Sequence, residues 1–326
     1  MQNTIKILRE ALLSARDSQG QPLYDEREIR SVINLLIEEV CGLTRVDCLL
    51  NPNREFSVLQ RAQLAQIAAQ LSQGIPMQQT LGYAWFCDRK FFISPDVLIP
   101  RPETAELVDW IVADHGSIAS PRICDVGTGS GCIAVSLARL INSAQVLAID
   151  ISTAALSIAR RNACQQGVGN VQFVHTDILS LVENSTSEIV INSLSTLCQQ
   201  ACDTYYQQPL SQGYQQLSTG YPPFDVIVSN PPYICRHEAA EMSEIVKAHE
   251  PDLALFVPDD DPLLFYRAIA RFAQMTLVPG GQLYFEINAA YGPDTCQMLR
   301  ESGFCDVVLR QDINGRDRMV RATLPH

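Results

Sequence analysis

The stretch Phe224-Asp-Val-Ile-Val-Ser-Asn-Pro-Pro-Tyr-Ile234 decides how the chain is organised. Its first six residues read as a strand buried on both faces, because apolar side chains run almost without a break. Pro231 and Pro232 then end the strand, since neither ring nitrogen can donate to a ladder. Asn230 is thereby delivered at a carboxyl-terminal strand end, where open α/β sheets bind ligands. Its side-chain carbonyl, the main-chain carbonyls of Pro231 and Pro232, and the flat ring of Tyr233 form a grip for a planar group carrying NH2. An amide or an exocyclic amine would qualify.

Upstream of this strand the pattern alternates strands with helices, the mark of a largely parallel sheet. Strand-like Arg122–Val126 leads into Gly127-Thr-Gly-Ser-Gly131, which opens a helix through Arg139. A second strand ends at Asp150, a helix runs from Ser152 to about Gln166, and a third strand, Val171 to His175, ends before Asp177. The glycine loop predicts main-chain NH groups and a helix N-terminus turned toward a ligand. The spacing is Gly-x-Gly-x-Gly with Asp125 just ahead of it, not the dinucleotide Gly-x-Gly-x-x-Gly, which points to S-adenosylmethionine. Asp150 is placed to accept ribose hydroxyls and Asp177 an adenine amino group, with Ile178 beside it. Taken singly, each acid reads as a cap or a solvated turn residue; at three successive strand ends they point together to a ligand.

Before the sheet, residues 1–75 read as a small helical bundle. Leu8 and Leu12 recur at helical spacing; Asp25 caps a second helix carrying Ile29, Val32, Ile33, Leu36 and Ile37, closed by Gly42. Ser57 opens a third with Leu59, Leu64, Ile67, Ala68 and Leu71, stopped by Gly74. From Ile75 the helical period is lost, and residues 76–104 read as a β-hairpin around Cys87-Asp-Arg89 followed by the proline-stiffened arm Val97-Leu-Ile-Pro-Arg-Pro-Glu-Thr104. Arg101 and Glu103 on this arm read either as an ion pair or as pocket-lining residues. Residues 105–326 read as one α/β domain, interrupted at about 184–222 by a Ser-, Thr- and Gln-rich insertion, expected to be ordered only around Ile189-Val-Ile191. Downstream, a helix is expected between Ala239 and Lys247, and Pro279-Gly-Gly281 reads as a turn introducing a strand from Gln282 to Ile287.

Composition narrows the partners. Of 326 residues, 47% are apolar and 18% charged, as in an ordinary globular protein. The net charge of −12 argues against a protein that holds nucleic acid through its phosphates. The eleven cysteines form no Cys-x-x-Cys pair and no zinc-like ladder, so no metal is expected and a reducing compartment is. No signal-peptide core or membrane-length apolar run is present, and the expected location is the cytoplasm.

With these residues assembled, the chain resembles the HemK/PrmC family, the glutamine-N5 methyltransferases of class I peptide chain release factors. The resemblance rests on the helical N-terminal region, Val97–Thr104, Asp125-Val-Gly-Thr-Gly-Ser-Gly131, Ser229-Asn-Pro-Pro-Tyr-Ile234, Glu250-Pro251 with Ala254-Leu255, and Gly280-Gly281 through Glu286-Ile287. It implies a Rossmann-like class I S-adenosylmethionine-dependent methyltransferase domain behind a small substrate-recognition domain. Residues 125, 127–131, 150, 177, 178 and 230 would bind cofactor and Asn230–Tyr233 the substrate amide, with a release factor as partner and no stable nucleic-acid or membrane binding. Asn-Pro-Pro-Tyr is shared with adenine-N6 methyltransferases of nucleic acids, and a sister group acts on a ribosomal protein. A non-catalytic binding module on the same fold is the remaining alternative. The chain departs from the family pattern at Cys87 or Asp88, one of which is usually Gly, and at Ala105, Ile178 and Asn288. No side chain in these motifs stands out as a general base.

Overall fold

The computed structural model describes residues 1–326 except 18, 52, 184, 206–222 and 241. The chain divides into two compact units, Met1–Gly82 with Met242–His249, and Tyr83–Glu241 with Glu250–His326.

The first unit is helical. Asp25 closes a capping box on Glu26–Cys41: its Oδ1 accepts from the main-chain NH groups of Arg27 and Glu28, while Glu28 returns a bond to the Asp25 NH. Gly42, at φ 64°, ends that helix in the left-handed conformation that glycine adopts without strain. Ser57 and Gln60 form a second capping box on Val58–Ser72. Leu8, Leu12, Ile29, Leu36, Leu64 and Leu71 meet in one buried cluster. Leu59, expected in the apolar stripe of this last helix, is instead 82% exposed. It stands five residues before Leu64, about 140° round the helix axis, and so falls outside the stripe. Two short helices, Arg45–Leu50 and Met77–Leu81, were not legible in the sequence. The second lies where the helical period was expected to lapse, because five residues are too few to display a 3.6-residue repeat.

The second unit opens with the expected hairpin, β1 (Tyr83–Phe86) and β2 (Arg89–Phe92), in antiparallel register. Cys87 and Asp88 turn it at φ 45° and 58°, the left-handed pair that a two-residue hairpin loop requires. Both turn positions thus carry side chains in a conformation that glycine adopts without strain.

The remaining strands are β3 (Arg122–Val126), β4 (Gln145–Asp150), β5 (Val171–His175), β6 (Phe224–Ser229), β7 (Ile234–Cys235), β8 (Phe256–Val257), β9 (Leu277–Glu286), β10 (Cys305–Gln311) and β11 (Asp317–Thr323). Seven of them form one sheet in the order β10-β11-β9-β6-β3-β4-β5, while β7 and β8 pair separately. From β5 to β9 all pairings are parallel; β11 and β10 are added antiparallel. Strand alternation sorts side chains to two buried clusters, Val226 and Val228 to one face and Ile227 to the other. The chain runs outward from β3 to β5 and then returns to place β6 on the other side of β3. That reversal opens a crevice at the carboxyl ends of β3 and β6.

Three expectations require correction. Part of the polar insertion is a helix, Ser187–Tyr205, whose Val190, Leu194, Cys198 and Ala201 are buried in the sheet's core. Four apolar side chains at near-helical spacing were diluted by the Ser, Thr and Gln between them; residues 206–222 of the insertion lie outside the described residues. Pro279-Gly-Gly281 does not precede its strand but lies inside β9, where Gly280 NH donates to Leu324 O and Leu324 NH to Gly281 O. A register shift opposite Phe224–Val226 absorbs the proline, as a bulge does. The helix expected between Ala239 and Lys247 is split into a 3-10 turn, Arg236–Ala240, and a helix, Glu244–His249.

Candidate active site

A cavity of about 390 Å³ opens at this crevice. Its wall includes Gly127, Thr128, Gly129 and Ser130 after β3, Asp150 at the end of β4, Asp177 and Ile178 after β5, and Asn230, Pro231 and Pro232 after β6. Val97, Leu98, Pro100 and Arg101 of the arm and Thr104 complete it from the other side.

The glycine loop is held from behind. Asp125 is fully buried, and its Oδ2 accepts from Thr128 Oγ1 at 2.6 Å and from Ala134 NH at 3.2 Å. Burial pushes its carboxyl up to about 7 despite these donors. Asp125 was expected to contact cofactor; it stands instead one layer behind the cavity wall and braces the loop. Gly127 and Gly129 take φ 73° and 55°, and a Cβ on either would meet nothing within 4 Å, so backbone conformation alone demands glycine there. Gly131 differs: a Cβ would lie 2.9 Å from Ala159 Cβ, so it lets two helices approach and does not wall the cavity. The loop amides are also not all turned to a ligand as expected. Gly127 and Thr128 donate to Ile149 O, and Gly129 donates to Asp150 Oδ2 at 2.8 Å. The end of β4 supplies those acceptors before any ligand can.

Asp150 also accepts Ser152 NH at 2.8 Å on Oδ1. Burial raises its pKa, and the main-chain donors oppose the shift. Each carboxylate oxygen keeps a second lone pair, so ligand hydroxyls can still be accepted at the cavity wall. Asp177 is the N-cap of Ile178–Val182, with Oδ1 accepting Leu179 NH and Oδ2 accepting Ser180 Oγ. It nevertheless lines the cavity beside Ile178 and Leu179, which offer an apolar surface to a flat ring. A loop with no side chain at its two glycines, an acid for hydroxyls and an apolar wall fit an adenosine-bearing ligand.

On the other half, Arg101 lines the cavity and pairs with Glu250, not Glu103, its Nη2 lying 2.6 and 2.8 Å from the two carboxylate oxygens. Glu250 is buried and Arg101 one-third exposed, so the pair pins the arm. Glu103 is not on the cavity wall. Pro102 starts the helix Pro102–His115, which places Glu103 in its first turn near the positive end of the dipole and turns Thr104 inward. Thr104 Oγ1 donates to Glu286 Oε2 at 2.5 Å, and Asn230 Nδ2 donates to Thr104 Oγ1 at 3.3 Å. Tyr233 OH donates to the other oxygen, Glu286 Oε1, at 3.1 Å. Tyr233 packs against the core and does not line this cavity. Asn288, a departure from the family, donates to Tyr233 O at 3.1 Å and to Glu238, buttressing the turn.

Spacing gave no hint of the Thr104–Glu286 contact, which joins residues 182 apart. Burial raises the pKa of Glu286; it backs Asn230 rather than facing the cavity. Beyond the turn, Cys235, His237 and Asp259 bring metal-ligating atoms together. Each already has a partner: His237 Nδ1 lies 3.0 Å from Asp259 Oδ1 and Cys235 Sγ 3.5 Å from Tyr291 OH. Among the described residues no helix is long and apolar enough to cross a membrane.

Residues 119–257 match the family described as a methyltransferase domain, and residues 21–82 match the PrmC N-terminal domain. A release factor glutamine methyltransferase of Bacteroides thetaiotaomicron is 39% identical over 302 residues, covering 93% of this chain and 95% of its own. That of Flavobacterium psychrophilum is 37% identical over 302 residues, covering 92% and 93%. Among solved structures, a release factor-specific protein-(glutamine-N5) methyltransferase of Alicyclobacillus acidocaldarius is 25% identical, covers 72% of this chain and all of its own, and has a TM-score of 0.38.

Proposed function

The chain belongs to the release factor glutamine methyltransferase family, and from that premise we propose the roles of its site. It transfers a methyl group from S-adenosylmethionine to the side-chain amide nitrogen of the glutamine in the Gly-Gly-Gln motif of class I peptide chain release factors. The observation that carries this reading is the meeting, in one cavity, of the glycine loop after β3 and the Asn230-Pro-Pro turn after β6.

The cofactor, when bound, supplies a methyl group made electrophilic by its positive sulfur. The sulfur–methyl bond breaks as the nitrogen–methyl bond forms, S-adenosylhomocysteine is the leaving group, and the methylated nitrogen gives up one hydrogen as a proton to water. Gly127, Thr128, Gly129 and Ser130 leave room for it, Asp150 accepts its ribose hydroxyls, and Ile178 packs on its adenine. An amide nitrogen is a poor nucleophile because its lone pair is delocalised into the carbonyl. Asn230 Oδ1 and the main-chain carbonyl of Pro231 accept the two amide hydrogens, which orients the nitrogen and stabilises positive charge developing on it. Holding two reactants in attack geometry removes much of the entropic barrier. Pro231 and Pro232 stiffen the turn so that these acceptors do not reorganise. The protein works in the cytoplasm, where its release-factor substrate is found, and needs no metal for this step.

A labelled-methyl assay on purified release factor, with the Gly-Gly-Gln glutamine intact or replaced by alanine, tests the reading. Label is expected only on the intact factor. Transfer to DNA or RNA with none to release factor would make the chain an adenine-N6 enzyme instead.

A further inference from the structure

We propose that Thr104 and Glu286 set which end of the Asn230 amide faces the substrate, so that they are positioning residues for the methyl transfer. The inference rests on the function proposed above and adds to it a hydrogen-bond chain running from the cavity wall back to a buried carboxylate.

The chain has a direction fixed by donor counting. An ionised carboxylate only accepts, so Glu286 Oε2 must receive the single hydroxyl hydrogen of Thr104, 2.5 Å away. Thr104 Oγ1 then has only lone pairs left for its next neighbour. The Asn230 side chain, 3.3 Å away, must therefore present its NH2 to Thr104. An amide has two ends, so the carbonyl Oδ1 is turned the other way, to the cavity that Asn230 lines. A flipped Asn230 would offer the substrate amide a donor where it needs an acceptor. The flip would also set Oδ1 against the lone pairs of Thr104.

The chain is built to hold this direction. Thr104 is 2% exposed and Glu286 1%, so water does not compete for either group. Glu286 is held by Tyr233 OH at 3.1 Å on its other oxygen, and its own main-chain carbonyl accepts Tyr266 OH at 3.3 Å. Burial pushes the Glu286 carboxyl up; the Thr104 hydroxyl, Arg318 on β11 and the Tyr233 hydroxyl oppose this by favouring the ionised form, and Glu103 adds to the rise. Arg318 is itself tied to Asp312 and to Ile287 O. The strand that ends in Glu286 and the helix that begins at Pro102 thus meet behind Asn230 and dictate its orientation from outside its own turn.

Thr104→Val keeps the shape and removes the hydroxyl; Thr104→Ser keeps the hydroxyl. Two readouts are expected to move together. The first is kcat with release factor: Thr104→Val should lose about 10- to 100-fold while KM for the factor and cofactor affinity stay within about twofold, and Thr104→Ser should recover most of the loss. The second needs no substrate. In protein labelled with 15N at asparagine, the side-chain NH2 signal of Asn230 is identified by its loss in Asn230→Gln. Its exchange with solvent should accelerate in Thr104→Val and not in Thr104→Ser. An unchanged kcat and unchanged exchange in Thr104→Val overturns the inference, as does a loss that Thr104→Ser fails to recover. If wild-type protein transfers no methyl to release factor, the proposed function fails, and the exchange experiment still decides whether Thr104 holds the Asn230 amide.

Discussion

Two buried carboxylates stand behind the two halves of the cavity, and each reaches it through a threonine hydroxyl. Asp125 accepts Thr128 Oγ1 at 2.6 Å and braces the glycine loop. Glu286 accepts Thr104 Oγ1 at 2.5 Å and backs Asn230. The chemistry is the same, but the sequence separation is three residues in the first pair and 182 in the second. The first pair is local: it shapes a turn, and any ligand benefits from it only through the turn. The second ties a helix start to a strand end, and it acts on one side chain. Cofactor binding should therefore depend on the first pair, and chemistry on the second.

The largest effect should come where the second pair delivers its result. Asn230→Ala removes the acceptor and should lower methyl transfer about 10³-fold, about 4 kcal/mol of transition-state stabilisation. Cofactor affinity, measured by calorimetry, should change by no more than about twofold. Equal losses in cofactor binding and in transfer would collapse the distinction between the halves.

Next comes the carboxylate of the first pair. Asp125 is raised to about 7 by burial, above the ordinary aspartate value it has when unfolded. The folded state therefore binds a proton more tightly, and the stability linked to it is fully present at low pH and lost as pH rises toward 7. Between pH 5 and 8 the chain should lose on the order of 2 kcal/mol from this group alone. Asp125→Asn should flatten that part of the stability–pH curve in denaturant titrations. If wild type and Asp125→Asn have the same slope over this range, the buried acid does not titrate there and the linkage is refuted.

Smaller still is the loss of the first pair's hydroxyl. Thr128→Val unties the loop from Asp125 and should weaken cofactor binding about tenfold while leaving kcat at saturating cofactor within about twofold. This is the mirror of the result expected for Thr104→Val. If both valine variants lower kcat and spare affinity, the two pairs serve one function and the comparison is wrong.

The same contrast explains what the sequence revealed. Strands ending at Asp150, Ser229 and Val126, the glycine loop and the caps at Asp25 and Ser57 were legible because each is written within a few residues of itself. Glu286 and Glu250 were quoted only as parts of a family resemblance, since nothing local says that a carboxylate will meet Thr104 or Arg101. Tyr233 shows the same limit. Its place after Asn230 is local, but its hydroxyl donates to Glu286, far along the chain, and its ring packs against the core. The helix Ser187–Tyr205 was missed differently: its apolar side chains were present but too sparse to outweigh the polar residues around them.

Asp177 gives the smallest effect and the sharpest reading of a strand-end acid. Both of its oxygens accept bonds within its own turn, from Leu179 NH and Ser180 Oγ, so capping explains it without a ligand. Yet it also stands on the cavity wall. Asp177→Ala removes the cap and should cost about 1 kcal/mol, read as a lower denaturant midpoint. Asparagine caps as well as aspartate, so Asp177→Asn should keep the midpoint in either case. Cofactor affinity then separates the two roles. If Asp177 only caps, the Asn variant binds S-adenosylmethionine within about twofold of wild type, because Ile178 and Leu179 stay in place. If its charge meets the ligand directly, affinity falls while the midpoint holds, and the cofactor half would then depend on a second acid at the wall beside Asp150.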